Sequence, residues 1–244
     1  MSLDGSSVLV TGGTRGIGLA IALRLVRDGA AKAVLGYMRN DTAAEQAAEE
    51  VRAAGAEVVL VRGEVSKPRV VEELGSHGPY RAVVHNAATG VARPALETED
   101  KHWDWTLNAN ARALLSLARV TAPSMEEGSS IVAISSLGAQ RVLDNYVLVG
   151  TSKAALESVV RYLAVELAPR GIRANTVSGG VVETGALEHF PNKEEMLRSV
   201  ERTPAGRLVE PDHIAGAVSW LCSPDARMVC GQTIVVDGGF SLPA

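Results

Sequence analysis

Cysteine is nearly absent from this 244-residue chain: Cys222 and Cys230 stand without any metal-ligand spacing around them, so neither a disulfide framework nor a zinc site is expected. A reducing cytoplasm fits that usage. An excess of positive charge is missing too. The net charge of −4 and pI near 5.8 leave no electrostatic footprint for nucleic acid or for an anionic membrane surface. Charged small molecules must therefore be held by a few local groups. No apolar run is long enough to span a bilayer, and Met1–Gly13 lacks the basic and long apolar regions of a signal peptide. These absences predict a cytoplasmic protein with no nucleic-acid or membrane partner. Internal repeats, low-complexity tracts and linker-like stretches are also lacking, and 46% hydrophobic residues at a mean hydropathy of +0.11 suffice for one large core. One domain over residues 1–244 is the economical expectation.

What is present is a regular alternation. Short apolar runs at Ser7–Val10, Ala33–Gly36, Glu57–Val61, Ala82–His85, Ile131–Ser135, Ala174–Val177 and Thr233–Val236 are separated by segments of helical period. Seven such strands divided by helices predict an α/β fold with a parallel, doubly wound seven-stranded sheet and helices on both faces. Thr42–Ala54 reads as a helix opened by Asp41 or Thr42 and closed by Gly55. Lys101–Met125 and Tyr146–Leu167 read as two long helices with broad apolar faces, the second ended by Pro169 and Gly171. Ser66–Pro79 is a short crossover broken by Gly75, Gly78 and Pro79. Val181–Arg207, charged and interrupted by Pro191 and Pro204, has the length and place of a substrate lid.

Thr11-Gly12-Gly13-Thr14-Arg15-Gly16-Ile17-Gly18 follows a strand and opens a helix. Glycines at 12, 16 and 18 allow a sharp turn, let backbone N–H groups approach a pyrophosphate and let the helix pack on the sheet; the helix N-terminus favours the anion. Dinucleotide binding is expected there. At the end of the second strand an acid would bond a ribose 2′-hydroxyl, but the chain reads Gly36-Tyr37-Met38-Arg39-Asn40. With Arg39 and Arg15 available to a 2′-phosphate, the expected cofactor is NADPH.

Lys153 has Val149 four residues before it and Tyr146 seven before it. Four and seven are both close to whole numbers of helical turns, so either position shares a face with the lysine. At 1.5 Å per residue, a tyrosine seven back sits about 10 Å along the axis, against about 6 Å for one four back. A ketone takes hydride and proton on adjacent atoms, whereas a conjugated thioester takes hydride at C3 and develops charge on the oxygen at C1. The longer spacing suits the second reaction. The bland alternative is that Tyr146 is a buried loop tyrosine in a chain without an acid.

The glycine pattern resembles the TGxxxGxG fingerprint of the short-chain dehydrogenase/reductase superfamily, and the lysine segment resembles its catalytic helix. The six-residue gap between Tyr146 and Lys153, with His102-Trp103-Asp104-Trp105-Thr106, Ser135-Ser136-Leu137-Gly138, Ser152-Lys153-Ala154-Ala155-Leu156, Arg161–Leu167, His189-Phe190-Pro191-Asn192 and Gly231-Gln232-Thr233, is similar to NADPH-dependent enoyl-acyl-carrier-protein reductase III over nearly the whole chain. That resemblance implies a Rossmann fold. It implies Tyr146 as acid, Lys153 on the nicotinamide ribose, Ser136 on the substrate oxygen and Asn110 holding a water chain behind the lysine. Glu64-Val65 would lie beside the adenine and Asn86-Ala87-Ala88 along the cofactor. The Val182 backbone and the Thr184 hydroxyl would meet the nicotinamide, with Gly179 also on the cofactor. His85, where the family commonly has Asn, is expected to be a packing variant. The substrate implied is an enoyl thioester on acyl carrier protein or CoA, in fatty-acid elongation or in secondary metabolism, and the assembly implied is a homotetramer using the last helix and Val236–Gly239; Trp103 and Trp105 are expected as core or subunit-interface anchors. A 3-ketoacyl reductase is the rival enzyme, disfavoured by Val149, and a catalytically silent NADPH-binding scaffold the rival outside enzymes.

Overall fold

A computed structural model describes residues 3–182, 185 and 197–242. Seven strands, β1 (Ser7–Thr11), β2 (Lys32–Tyr37), β3 (Glu57–Arg62), β4 (Ala82–His85), β5 (Ser130–Ser136), β6 (Arg173–Gly179) and β7 (Thr233–Val236), form one sheet in the order β3-β2-β1-β4-β5-β6-β7, with every pair parallel. The strands are rich in Val, Ile and Leu because the sheet is covered on both faces, and alternate residues feed two cores. Val8, Val10, Leu35, Val84 and Val132 pack with α1 (Gly16–Arg27) and α7 (Pro211–Cys222). Leu9, Val34, Val83, Ile131 and Ala133 pack with α3 (Pro68–Ser76), α5 (Ala113–Thr121) and α6 (Val147–Leu167).

Four local readings are corrected. The helix α2 (Asp41–Ala53) is capped by Asn40, whose side chain accepts from the Ala43 N–H at 3.0 Å, not by Asp41 or Thr42. Asn40 leaves the β2 turn in a non-helical conformation and satisfies one of the donors that a helix start leaves bare. Gly75 lies inside α3 and does not break it; a Cβ there would sit 2.8 Å from Val120 Cγ2, so the glycine lets α3 and α5 approach. The 101–125 segment starts as α4 (Asp100–Leu107) and reaches α5 through a π-helical turn at Asn108–Arg112. Helix α6 begins at Val147, with Tyr146 as its cap residue and the Tyr146 carbonyl accepting from the Gly150 N–H at 2.7 Å.

Strand order reverses direction between β1 and β4, where Thr11 is in register with His85. Loops from neighbouring strands leave to opposite faces at such a point and open a crevice at the carboxyl ends. The glycine loop after β1, Asn86–Ala88 after β4 and the Ser136 end of β5 all face that edge.

Candidate active site at the carboxyl edge of the sheet

The glycine loop is shaped by close approach. Gly12 (φ 63°) and Gly16 (φ 52°) adopt left-handed backbone, and a Cβ on Gly18 would meet Asn86 Nδ2 at 2.6 Å and the backbone of Gly12. Asn86 Nδ2 donates to the carbonyls of Thr11 (3.2 Å) and Gly12 (3.0 Å), bracing the loop from the next strand. Arg15, extended and exposed, precedes α1 without contributing a side-chain cap, so the first N–H groups of α1 are left to an anion. Thr14 and Gly18 are buried and Ile17 packs on the core. These features fit a dinucleotide pyrophosphate.

Arg39 is exposed beyond β2. Asp41, the neighbouring acid, accepts from the Tyr37 hydroxyl at 2.9 Å and pairs with Arg62 at 3.3 Å. Arg62 is thus a second cation at this corner, missed because it closes the following strand. Glu64 accepts from Ser66 Oγ at 2.5 Å and lies 3.9 Å from Lys67, while Val65 is buried. Gly179 is buried at the end of β6, and Val182 is buried in a parallel bridge to Val209. Thr184 lies outside the described residues, as do residues 183–184 and 186–196 of the expected lid.

Ser136 and Tyr146, ten residues apart in sequence, are brought together: their hydroxyl oxygens are 3.2 Å apart. The ring of Tyr146 lies on the turn after β5, where a Cβ on Gly138 would meet Tyr146 Cδ1 at 2.5 Å; a Cβ on Gly150 would meet the Gly138 carbonyl oxygen at 2.6 Å. Two glycines therefore seat the ring, and neither was singled out from sequence for that purpose. Asn145, immediately before it, is left-handed at φ 59°, the only non-glycine with positive φ among the described residues. Burial raises the Tyr146 pKa, and the Ser136 hydrogen bond opposes that rise. Val149, at the four-back position, is buried against Gly90.

Lys153 is buried, and its ammonium donates to the Ile134 carbonyl at 2.7 Å. Burial lowers its pKa to about 8, opposed by the charge of Glu157 one turn further on. Glu157, not anticipated from sequence, is itself buried and accepts from Ser135 Oγ at 2.6 Å, which fixes the strand end carrying Ser136. Asn110, in the π-helical turn, is fully buried. Its side chain accepts from the Thr89 N–H and donates to the Thr89 carbonyl and Ser152 Oγ, all at 2.8 Å.

His85 joins these two ends. Its Nε2 is 3.1 Å from the Asn110 carbonyl oxygen, which can only accept, so Nε2 carries the proton and Nδ1 accepts from the Thr11 hydroxyl at 3.0 Å. Thr11 Oγ1 in turn accepts from the Asn86 and Ala87 N–H groups, each at 3.1 Å. The expected packing variant is thus a hydrogen-bonded strut from the glycine loop to Asn110. Desolvation, then the nearby Lys153 charge, lowers its pKa to about 4 and keeps the ring neutral.

A cleft of about 400 Å³ opens beside Tyr146. Among the described residues no group of three or more His, Cys, Asp or Glu side chains could hold a metal ion, and no helix is long and apolar enough to cross a membrane. A glycine-rich loop on β1, a buried lysine and a tyrosine paired with serine on one edge of a parallel sheet invite comparison with known proteins. Residues 12–241 match the sequence family described as enoyl-(acyl carrier protein) reductase. This chain belongs to the short-chain dehydrogenase/reductase family. It is 36% identical over 244 residues to 1-cyclohexenylcarbonyl-CoA reductase from Streptomyces collinus, covering 97% of this chain and 87% of that protein. Among solved structures, a dehydrogenase/reductase from Sinorhizobium meliloti 1021 superposes with a TM-score of 0.90 at 32% identity, covering 98% of this chain and 96% of that one. A blue fluorescent protein from a metagenomic library, in complex with NADPH, superposes with a TM-score of 0.90 at 32% identity, covering 99% and 100%. As a short-chain dehydrogenase/reductase family member the protein is an oxidoreductase, its Rossmann-type sheet matching that of the solved relatives.

Proposed function

We propose that the protein reduces the C2–C3 double bond of trans-2-enoyl thioesters with NADPH. The observation that carries this reading is the tyrosine seven residues before Lys153, capping α6 with its hydroxyl 3.2 Å from Ser136, while Val149 fills the four-back position. NADPH, when bound, supplies the hydride to C3. The residues supply position and charge. Ser136 and Tyr146 present two hydroxyls to the thioester oxygen, where enolate charge develops, and a donor fixed in a half-buried site stabilises that charge without reorganising. Tyr146 holds the proton because burial raises its pKa, and the Ser136 hydrogen bond, which opposes that rise, lowers the cost of giving it up. Lys153 bridges this end to the ribose, Asn110 and Ser152 hold the helix that carries it, and the glycine loop with Asn86–Ala88, Gly179 and Val182 forms the cofactor wall.

Likeness to a CoA-ester reductase favours an enoyl-CoA of secondary metabolism as a second reading beside fatty-acid elongation on a carrier protein. The half-exposed Trp103 and Trp220 and the exposed Tyr162 and Val165 of α6 support a homotetramer. Replacing Tyr146 by Phe removes one hydroxyl and is expected to lower kcat on an enoyl thioester by about 10²–10⁴, the usual worth of a positioned proton donor, with NADPH affinity retained. Undiminished turnover in that variant would remove Tyr146 from the chemistry and the proposal with it.

A further inference from the structure

The cleft beside Tyr146 has an inner wall of Gly138, Gly150 and Tyr146 and an outer rim carrying two exposed arginines, Arg93 and Arg141. They come from different elements: Arg93 from the loop after β4, and Arg141 from the turn after β5. The backbone joins the two sides, since the Arg93 N–H donates to the carbonyl of left-handed Asn145 at 3.0 Å and the Arg141 N–H to that of Leu137 at 2.9 Å. The Arg141 guanidinium also donates to the Ser241 carbonyl at 3.2 Å, which holds its stem against the C-terminal segment. Between the arginines the rim is apolar and open to water, with Val142 98% exposed and Leu143 and Val147 more than a third exposed. Asp144 is the one acidic side chain lining the cleft among the described residues, so cations outnumber anions there in a chain whose net charge is −4.

We propose that Arg93 and Arg141 bind the phosphate of the phosphopantetheine arm that delivers the thioester, with Val142, Leu143 and Val147 covering the arm between phosphate and Tyr146. This rests on the enoyl-thioester reading above. A thioester that ends in a charged arm needs a cation at the solvent end and apolar cover along its length, and this rim offers both. Guanidinium forks suit a phosphate, whose oxygens accept paired hydrogen bonds. Arginines elsewhere answer less well: Arg202 lies over the Phe240 ring, and Arg39 stands at the opposite, adenine end of the crevice. The same phosphate is present on acyl carrier protein and on CoA, so the pair recognises the arm common to both carriers. Binding energy from this remote group would hold the reacting carbons against the site without touching them.

The test uses four trans-2-butenoyl thioesters: of CoA, of acyl carrier protein, of phosphopantetheine, and of N-acetylcysteamine, which has no phosphate. In the Arg93→Ala/Arg141→Ala double variant, KM for the first three is expected to rise about ten- to a hundredfold, as expected for losing charge-assisted hydrogen bonds, with kcat little changed. KM for the N-acetylcysteamine ester is expected to stay within about twofold of the unmodified protein, since nothing it touches is removed; this also shows that the variant is folded. Replacement of both by Lys should restore part of the loss. Equal loss on all four esters, or none on any, overturns the proposal. A loss confined to the CoA ester would assign the pair to the nucleotide end of CoA and overturns the shared-arm assignment. An unmodified protein that reduces none of the four would instead overturn the enoyl-thioester reading itself.

Discussion

A 2′-phosphate offers an arginine a partner that a 2′-hydroxyl does not, and Arg39 stands exposed just beyond β2, where the neighbouring acid Asp41 is already held by Tyr37 and Arg62. Arg39→Ala is expected to weaken NADPH by about ten- to a hundredfold, from the loss of one charge-assisted pair, and to leave NADH nearly unchanged; titration of both cofactors checks it. Equal losses would mean that Arg39 does not meet the phosphate. His85 makes a second prediction at this scale, through pH. Its folded-state pKa, lowered to about 4 by burial and by Lys153, lies below the ordinary value of 6.5, so the unfolded chain binds the proton first. Stability is therefore undiminished above pH 6.5 and falls as pH drops toward 4, with a slope of up to about 1.4 kcal/mol per pH unit from this residue. Urea midpoints of His85→Asn across that range should show a shallower slope than those of the unmodified protein. An unchanged slope would mean that the buried ring does not stay neutral.

At the scale of single elements, the short turn after β5 and the first turn of α6 act together, because Gly138 and Gly150 leave the space in which the Tyr146 ring lies. Gly138→Ala places a methyl against Tyr146 Cδ1, and either the ring or the turn must shift. Displacement of a catalytic group by even an ångström is costly, so kcat should fall by about tenfold or more with NADPH affinity preserved, and steady-state kinetics beside cofactor titration would show it. The strands were legible in sequence to within a residue or two, since Val-, Ile- and Leu-rich runs between helical segments have few other uses. Three features were not. Helix periodicity continues across a π-helical turn, so the run from Lys101 gave no sign that Asn108–Arg112 is wound differently. Asn40 lost the cap assignment to its neighbours because Asp, Thr and Asn compete for that role on nearly equal terms. Gly75 reads as a helix breaker unless the partner helix is known.

Across the whole molecule, the reversal of strand order between β1 and β4 gathers residues from Thr11 to Val182 along one edge. The glycine loop, Ser136, Tyr146 and Lys153 could be named from sequence because each sits in a local motif. The strut Thr11–His85–Asn110 and the buried Glu157–Ser135 pair could not, because their members lie 22 to 74 residues apart and only the sheet brings them into contact. The same edge carries the cleft whose arginines, 93 and 141, are likewise scattered in sequence. On the function proposed above, the displaced tyrosine makes this sheet edge reduce a carbon–carbon double bond and not a ketone. The most direct test is NADPH oxidation by the unmodified protein with crotonyl-CoA and, separately, with acetoacetyl-CoA. Turnover of crotonyl-CoA with little or none of acetoacetyl-CoA is expected, and a protein that reduces acetoacetyl-CoA while ignoring crotonyl-CoA would overturn the enoyl reading.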